Sequence, residues 1–308
     1  MPALLLQGEP IAERLLVGLR EEAKGLVAAG RAPRLAALYV GENRASRLYM
    51  KKQREACSAL GIGYETAALP VESTEEEVLA EVRRLNNDAR VSGIIVQMPV
   101  PPHIDSRRLR LHLDPAKDVE GMHPESMGRL VYGTSTLAPC TASAAVELAR
   151  SVRPSFAGLD VTIVGHSETV GKAIALLLLQ SPFESATPTV CHVATRDLAA
   201  HTRRADVLFV AVGKAGLVRG DMIKPGATVI DIGINHVDVL DERGMPVLEG
   251  GKTARRIVGD VLFEEAANVC AHITPVPGGV GPLTVVMLIR NTIECAKGID
   301  RRRDSVSH

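Results

Sequence analysis

Six short runs rich in valine and isoleucine recur along the chain, most of them separated by helix-length amphipathic stretches. They are "RLAALYVG" (34–41), "VSGIIVQMP" (91–99), "LDVTIVGHS" (159–167), "ATPTVCHVA" (186–194), "ADVLFVAVG" (205–213) and "GATVIDIGIN" (226–235). A strand that is apolar on both faces must be covered on both, and helices crossing over a parallel sheet achieve this. The pattern therefore predicts an α/β protein built on parallel sheets. The 308 residues give room for two domains of about 150 residues each.

The runs fall into two groups, and the Gly/Pro/Ser-punctuated stretch "PESMGRLVYGTSTLAPCTASAAVELAR" lies between them. Residues 1–138 are expected to form an N-terminal α/β domain, and residues 139–281 a Rossmann-type nucleotide-binding domain. "GPLTVVMLIRNTIECAKGI" (281–299) reads as an amphipathic helix, so that 282–308 can pack back on the first domain. The charged tail "DRRRDSVSH" is expected to fray.

Lys+Arg and Asp+Glu are equal at 36 each, so no global field draws the chain to nucleic acid or an anionic membrane. The N-terminus "MPALLLQGEP" lacks the basic flank of a signal peptide, and no apolar run approaches the roughly 20 residues of a membrane span. A cytoplasmic protein is expected. Five scattered cysteines without a CxxC pair signal neither disulfides nor a metal site.

"GLDVTIVGHSETVGKAIALLLL" (158–179) ends a strand on a glycine turn and begins a helix at Gly171, whose first N–H groups suit a phosphate. The same glycines suit a plain strand-to-helix turn. Where an adenosine ribose would lie, Val193 offers no hydrogen bond, while His166 and Arg196 are partial or full cations for a 2′-phosphate. His166 also suits a solvated loop. This balance favours NAD over NADP.

"TVIDIGIN" runs a strand into a turn fit to read a nicotinamide amide. "ITPVPGGVGPLT" (273–284) concentrates proline and glycine in a rigid loop that a flat ligand can approach closely. Gln97 ends an apolar strand, at the edge where parallel sheets hold ligands. "LDPAKDVEGMHP" (113–124) carries Asp118 and Glu120, which by default are solvated charge. "RASRLYMKKQREAC" (44–57) offers Tyr49, Lys51, Lys52 and Gln53 at helical spacing.

Eight stretches in order resemble one family from about residue 34 to 293: "VGENRASRLYM", "GIIVQMPVP", "KDVEGMHP", "APCT", "VGHSETVG", "GDMIKPGATVIDIGIN", "VGDV" and "TPVPGGVGPLT". The family is the methylenetetrahydrofolate dehydrogenase/methenyltetrahydrofolate cyclohydrolase proteins of FolD type. The resemblance implies a folate cleft between two domains, tetrahydrofolate as substrate carrier, NAD or NADP, and a homodimer. It puts the folate-stacking tyrosine on Tyr49 and the strand-end glutamine on Gln97. The folate-side loop falls on Pro275, Pro277, Gly278 and Gly279. The cofactor contacts fall on Thr141, Gly165, His166, Ser167, Val170, Gly171, Val193, Arg196, Gly213 and Ile234.

The departures fall on the site. Gln53 stands where the family keeps its catalytic lysine, and Glu120 where it keeps a pterin-binding aspartate. Glutamine has no proton to exchange near neutral pH, so hydride transfer is expected with cyclohydrolase activity lost or weak. The alternatives are an ordinary bifunctional enzyme in which Lys52 reaches in, or a repurposed pterin- or nucleotide-binding protein.

Overall fold

The computed structural model describes residues 2–304 apart from 42, 136, 182–184, 242–244 and 251. In chain order the elements are β1 (Leu4–Leu5), α1 (Gly8–Ala28), β2 (Arg34–Val40), α2 (Arg44–Ala59), β3 (Gly63–Leu69), α3 (Glu75–Asn87), β4 (Gly93–Val96), α4 (Ser106–His112), α5 (Pro124–Val131) and α6 (Cys140–Arg150). They continue with β5 (Asp160–Val164), α7 (Gly171–Leu178), β6 (Thr187–Cys191), α8 (Leu198–Thr202), β7 (Val207–Val210), β8 (Thr228–Asp231), β9 (Asn235–Asp238), β10 (Leu248–Glu249), β11 (Lys252–Thr253), β12 (Arg255–Val258), α9 (Phe263–Ala267), β13 (His272–Ile273) and α10 (Val280–Asp304). No helix among the described residues is long and apolar enough to cross a membrane.

The chain divides into two compact units. One comprises residues 12–140 and 284–308. Its sheet is β3-β2-β4, parallel throughout, with β2 in the middle. A core of Leu38, Val40, Val78, Leu79, Val82, Leu85, Ile94 and Leu109 lies on this sheet. β3 was not foreseen among the apolar runs, because "GYETAAL" mixes Glu65 and Thr66 with its apolar residues and only Ala67 of it is buried.

Two buried polar anchors shape the unit. Lys117 donates from Nζ to the carbonyls of Leu85, Asn86 and Asp88 at 3.1, 2.7 and 2.8 Å, closing the C-terminal end of α3. Asn291 of α10 donates to Val119 O at 2.8 Å and Ala138 O at 3.0 Å, fixing the loop that carries Glu120. The helix backbone of α10 continues to Asp304, beyond the expected start of fraying; the last four residues of the tail lie outside the described residues.

The second unit comprises residues 1–11 and 141–283. Its six-stranded sheet runs β1-β13-β8-β7-β5-β6 with every pairing parallel. The first eleven residues thus go with this unit rather than with the segment that follows them. The cause is local: β1 adds to β13, and Leu6 N–H donates to Ile273 O at 2.8 Å. The run 226–235 holds β8, and the excursion after it is an antiparallel β9–β12 pair that was not among the apolar runs.

Candidate functional site

In the first unit the site is built on α2. Ser46, Met50, Gln53 and Cys57 are all buried, and their spacing of four, three and four residues puts them on one helix face. Gln53 is the amide within that stripe, fully inaccessible to solvent. Lys51 and Lys52 fall on the exposed side, and Lys51 pairs loosely with Glu55 at 3.8 Å. Lys52 therefore does not reach in, because one residue along a helix turns the side chain by about 100°.

A buried amide needs partners. Gln53 Oε1 accepts from the Tyr64 hydroxyl at 3.0 Å and from Gln97 Nε2 at 3.0 Å. Its Nε2 has no partner of hydrogen-bond geometry among the described residues. Gln97 is itself buried, with its N–H on Leu38 O at 2.8 Å, rather than a surface amide. Tyr49 lies partly buried beside this set. Burial raises its hydroxyl above the ordinary tyrosine range, the nearby Cys140 and Glu120 push the same way, and the Gln53 amide opposes them.

Glu120 and Asp118 differ from the solvated charges expected of them. Asp118 is buried and accepts from His123 N–H at 2.6 Å and Ser126 Oγ at 3.1 Å, which makes it a loop clamp. Glu120 is half-buried and is pushed up to about 7 by burial first and the adjacent Asp118 second, so it is partly protonated near neutrality. Tyr64 was missed in the sequence because its role depends on β3 lying parallel to β2, with Tyr64 opposite Leu35.

In the second unit, the turn from β5 into α7 is closed by glycines. A Cβ on Gly171 would sit 1.9 Å from Gly165 O, and one on Gly165, whose φ is +130°, 2.3 Å from Ala211 O. The Ser167 hydroxyl accepts from Val170 N–H at 3.2 Å inside the turn. Val170 gives no side-chain cap to α7, and Lys172 N–H is taken by Ser167 O at 3.0 Å, so the N–H groups of Gly171 and Ala173 are those of the first turn that suit a ligand. These residues fit a dinucleotide pyrophosphate. Thr141 lies in the first turn of α6. His166, Val193 and Arg196 are exposed at the strand ends. Ile234, also exposed, follows β8.

Two buried aspartates that the sequence reading passed over hold the neighbouring loops. Asp231 accepts from the N–H groups of Gly233, Asp260 and Val261 at 3.0, 3.0 and 2.9 Å. Asp260 accepts from Val212 and Gly213 N–H at 2.6 and 2.9 Å and from Asn235 Nδ2 at 2.8 Å. Burial raises Asp231 to about 7 against these bonds. A carboxylate inside "TVIDIGIN" and another inside "VGDV" were the available signal. Beside them opens a cavity of about 600 Å³ lined by Asp231, Arg256, Ile257, Phe263, Pro275 and Val276.

The proline-glycine loop packs closely on the start of α1. Gly8 N–H donates to Gly278 O at 2.8 Å, and a Cβ on Gly8 would lie 2.0 Å from Gly279 O. Gly279 N–H closes the turn on Pro275 O at 2.8 Å, leaving Pro277 and Gly278 exposed.

The chain is similar to proteins of one family over most of its length. Residues 6–120 match the family model described as tetrahydrofolate dehydrogenase/cyclohydrolase, catalytic domain. Residues 139–300 match its NAD(P)-binding domain. The bifunctional protein FolD 2 of Mesorhizobium japonicum is 48% identical over 288 residues, 94% of this chain and 90% of that protein. The solved FolD methylenetetrahydrofolate dehydrogenase/cyclohydrolase of Campylobacter jejuni has a TM-score of 0.86 at 38% identity, covering 96% of this chain and 99% of that one. That of Trypanosoma brucei, solved with NADP and an inhibitor, has a TM-score of 0.86 at 37% identity, covering 98% and 99%.

Proposed function

The chain belongs to the tetrahydrofolate dehydrogenase/cyclohydrolase family, and we propose that it oxidises 5,10-methylenetetrahydrofolate to 5,10-methenyltetrahydrofolate with NAD or NADP. The observation that carries this reading is the neutral set of buried Gln53 and Gln97 with half-buried Tyr64, beside Tyr49. Such a set positions a flat ring and supplies no strong base. Oxidation asks for no more, because the two nitrogens flanking the one-carbon bridge stabilise the cation left behind. A bound nicotinamide nucleotide supplies the hydride acceptor. Tyr49 stacks on the ring, Glu120 meets the pterin N–H groups, and the turn from Gly165 to Gly171 holds the pyrophosphate. In solution the protein is proposed to be a homodimer.

A second reading is favoured by the relatives, which carry bifunctional names. Hydrolysis of the methenyl product needs a proton relayed to the departing ring nitrogen. Gln53 cannot relay one, and Lys52 lies on the exposed side of α2. A bifunctional form of this chain therefore rests on Glu120, which is partly protonated near neutrality beside Tyr49. Without that relay, hydrolysis is lost or strongly reduced.

The test is the appearance of methenyl product from methylenetetrahydrofolate with NAD and NADP in parallel. Turnover with at least one nucleotide is expected. No product with either contradicts the reading.

A further inference from the structure

The order β1-β13-β8-β7-β5-β6 changes direction at β5: β6 lies on one side of it, and β7 and β8 on the other. A dinucleotide lies outside the carboxyl ends of the strands at such a switch point, with its two halves on opposite sides. The glycine turn after β5 suits the pyrophosphate, so the adenosine half falls towards β6. The nicotinamide half falls towards the loops after β7 and β8, which begin at Ala211 and Ile232.

Both loops are held by one side chain from a distant segment. Asp260, fully buried, lies between β12 and α9. The last ladder bond of β7 runs from Ala211 N–H to Val164 O, and the next two N–H groups, of Val212 and Gly213, both go to Asp260 Oδ2. The last of β8 runs from Ile232 N–H to Val210 O; beyond it, Asn235 Nδ2 donates to Asp260 Oδ1 and Gly233 N–H to Asp231 Oδ1. Asp260 N–H joins the two acids by donating to Asp231 Oδ1. Asp231 reaches one loop further, because its N–H donates to Thr274 Oγ1 at 2.7 Å and that hydroxyl donates to Asp231 O at 3.2 Å. Thr274 is fully buried and precedes the proline-glycine loop. The carboxylates press on bare backbone: a Cβ on Gly233 would lie 2.2 Å from Asp260 Cγ, and one on Gly259 1.8 Å from Asp231 Oδ2. The ladders of β7 and β8 close before these bonds begin, and two buried carboxylates cost more to desolvate than apolar residues of similar size. Their return is a fixed arrangement of three loops at the ligand edge of the sheet.

We propose that Asp260, itself held by Asp231, is a positioning residue for the nicotinamide end of the bound nucleotide. It fixes the loops after β7 and β8 in the arrangement that receives the ring, and it leaves the adenosine half untouched. This assignment rests on the reading that the unit binds NAD(P).

The test is calorimetric titration of the purified protein with whichever of NAD and NADP it binds more tightly, and with the fragment of that nucleotide lacking nicotinamide, ADP-ribose or 2′-phospho-ADP-ribose. Asp260→Asn keeps one acceptor oxygen and should weaken the whole nucleotide about tenfold or more, and the fragment less than about twofold. Adding Asn235→Asp to that variant reverses the Asn235–Asp260 contact, with the amide now the donor, and should recover most of the loss. Asn235→Ala removes one donor and leaves both carboxylates, so it should weaken the whole nucleotide by less and again spare the fragment. Equal weakening of nucleotide and fragment overturns the proposal, since a plain clamp on the fold lowers both. Unchanged affinity in Asp260→Asn, or no recovery in the double variant, overturns it too. Should Asp260→Asn not fold, Asn235→Ala decides by the same comparison, and an equal effect on the two ligands, or none, overturns the proposal. Methenyl formation by the wild type beside any of these results still upholds the dehydrogenase reading. Selective loss of the whole nucleotide without methenyl formation contradicts that reading alone.

Discussion

At the residue scale, Gln53 decides most. It occupies a core position of α2, and its carbonyl oxygen is saturated by Tyr64 and Gln97. Tyr64→Phe removes one donor from that oxygen and should cost about 1 kcal/mol in urea unfolding, while also raising KM for the folate as the amide loses its fixed orientation. An unchanged KM would separate Tyr64 from the site. Lys52→Ala should leave stability and both turnovers unchanged, because the side chain is exposed. A large loss of hydrolysis in that variant would restore the reading in which Lys52 reaches in.

At the element scale, two short segments carry more than their length suggests. The β5–α7 turn has no space for a Cβ at its two glycines: Gly171→Ala brings one to 1.9 Å from Gly165 O. The turn must open, at a cost of about 1–3 kcal/mol, and calorimetry should show nucleotide affinity falling about tenfold or more as the helix end withdraws from the pyrophosphate. The end of α3 depends on Lys117, whose ammonium holds three carbonyls. Lys117→Met should destabilise the protein by about 2–3 kcal/mol in urea unfolding, since those carbonyls lose a charged donor. In the sequence, Lys117 is indistinguishable from a ligand-binding lysine. Only the fold shows that its partner is a helix end.

At the scale of the whole molecule, the parallel sheets were legible because apolar runs such as "ADVLFVAVG" have no other way to be covered. The antiparallel β9–β12 pair and the edge strand β3 were not, since neither presents a continuous apolar run. The glycine turn and Gln97 could be placed from local pattern. Tyr64, Asp231 and Asp260 could not, because most of their partners lie on segments that become neighbours only through topology.

Both units also hold a carboxyl raised by burial: Glu120 from 4.5 to about 7, and Asp231 from 3.8 to about 7. Each is favoured folded in its neutral form. The stability this contributes is present below about pH 4 and is lost as pH rises through about 7. Unfolding free energy should therefore decline between about pH 5 and about pH 8, and Glu120→Gln should remove part of the slope. An identical slope in that variant would contradict the assignment.

Residue 53 is proposed as the point where oxidation and hydrolysis part. The direct measurement is the ratio of methenyl hydrolysis to methylene oxidation in the wild type and in Gln53→Lys, assayed side by side above the uncatalysed rate. A lysine at that buried position supplies a titratable amine between Tyr64 and Gln97. The predicted result is a low ratio in the wild type that rises about tenfold or more in the variant, with oxidation changed only a few-fold. A wild-type ratio that is already high, and that falls with Glu120→Gln rather than rising with Gln53→Lys, would contradict it.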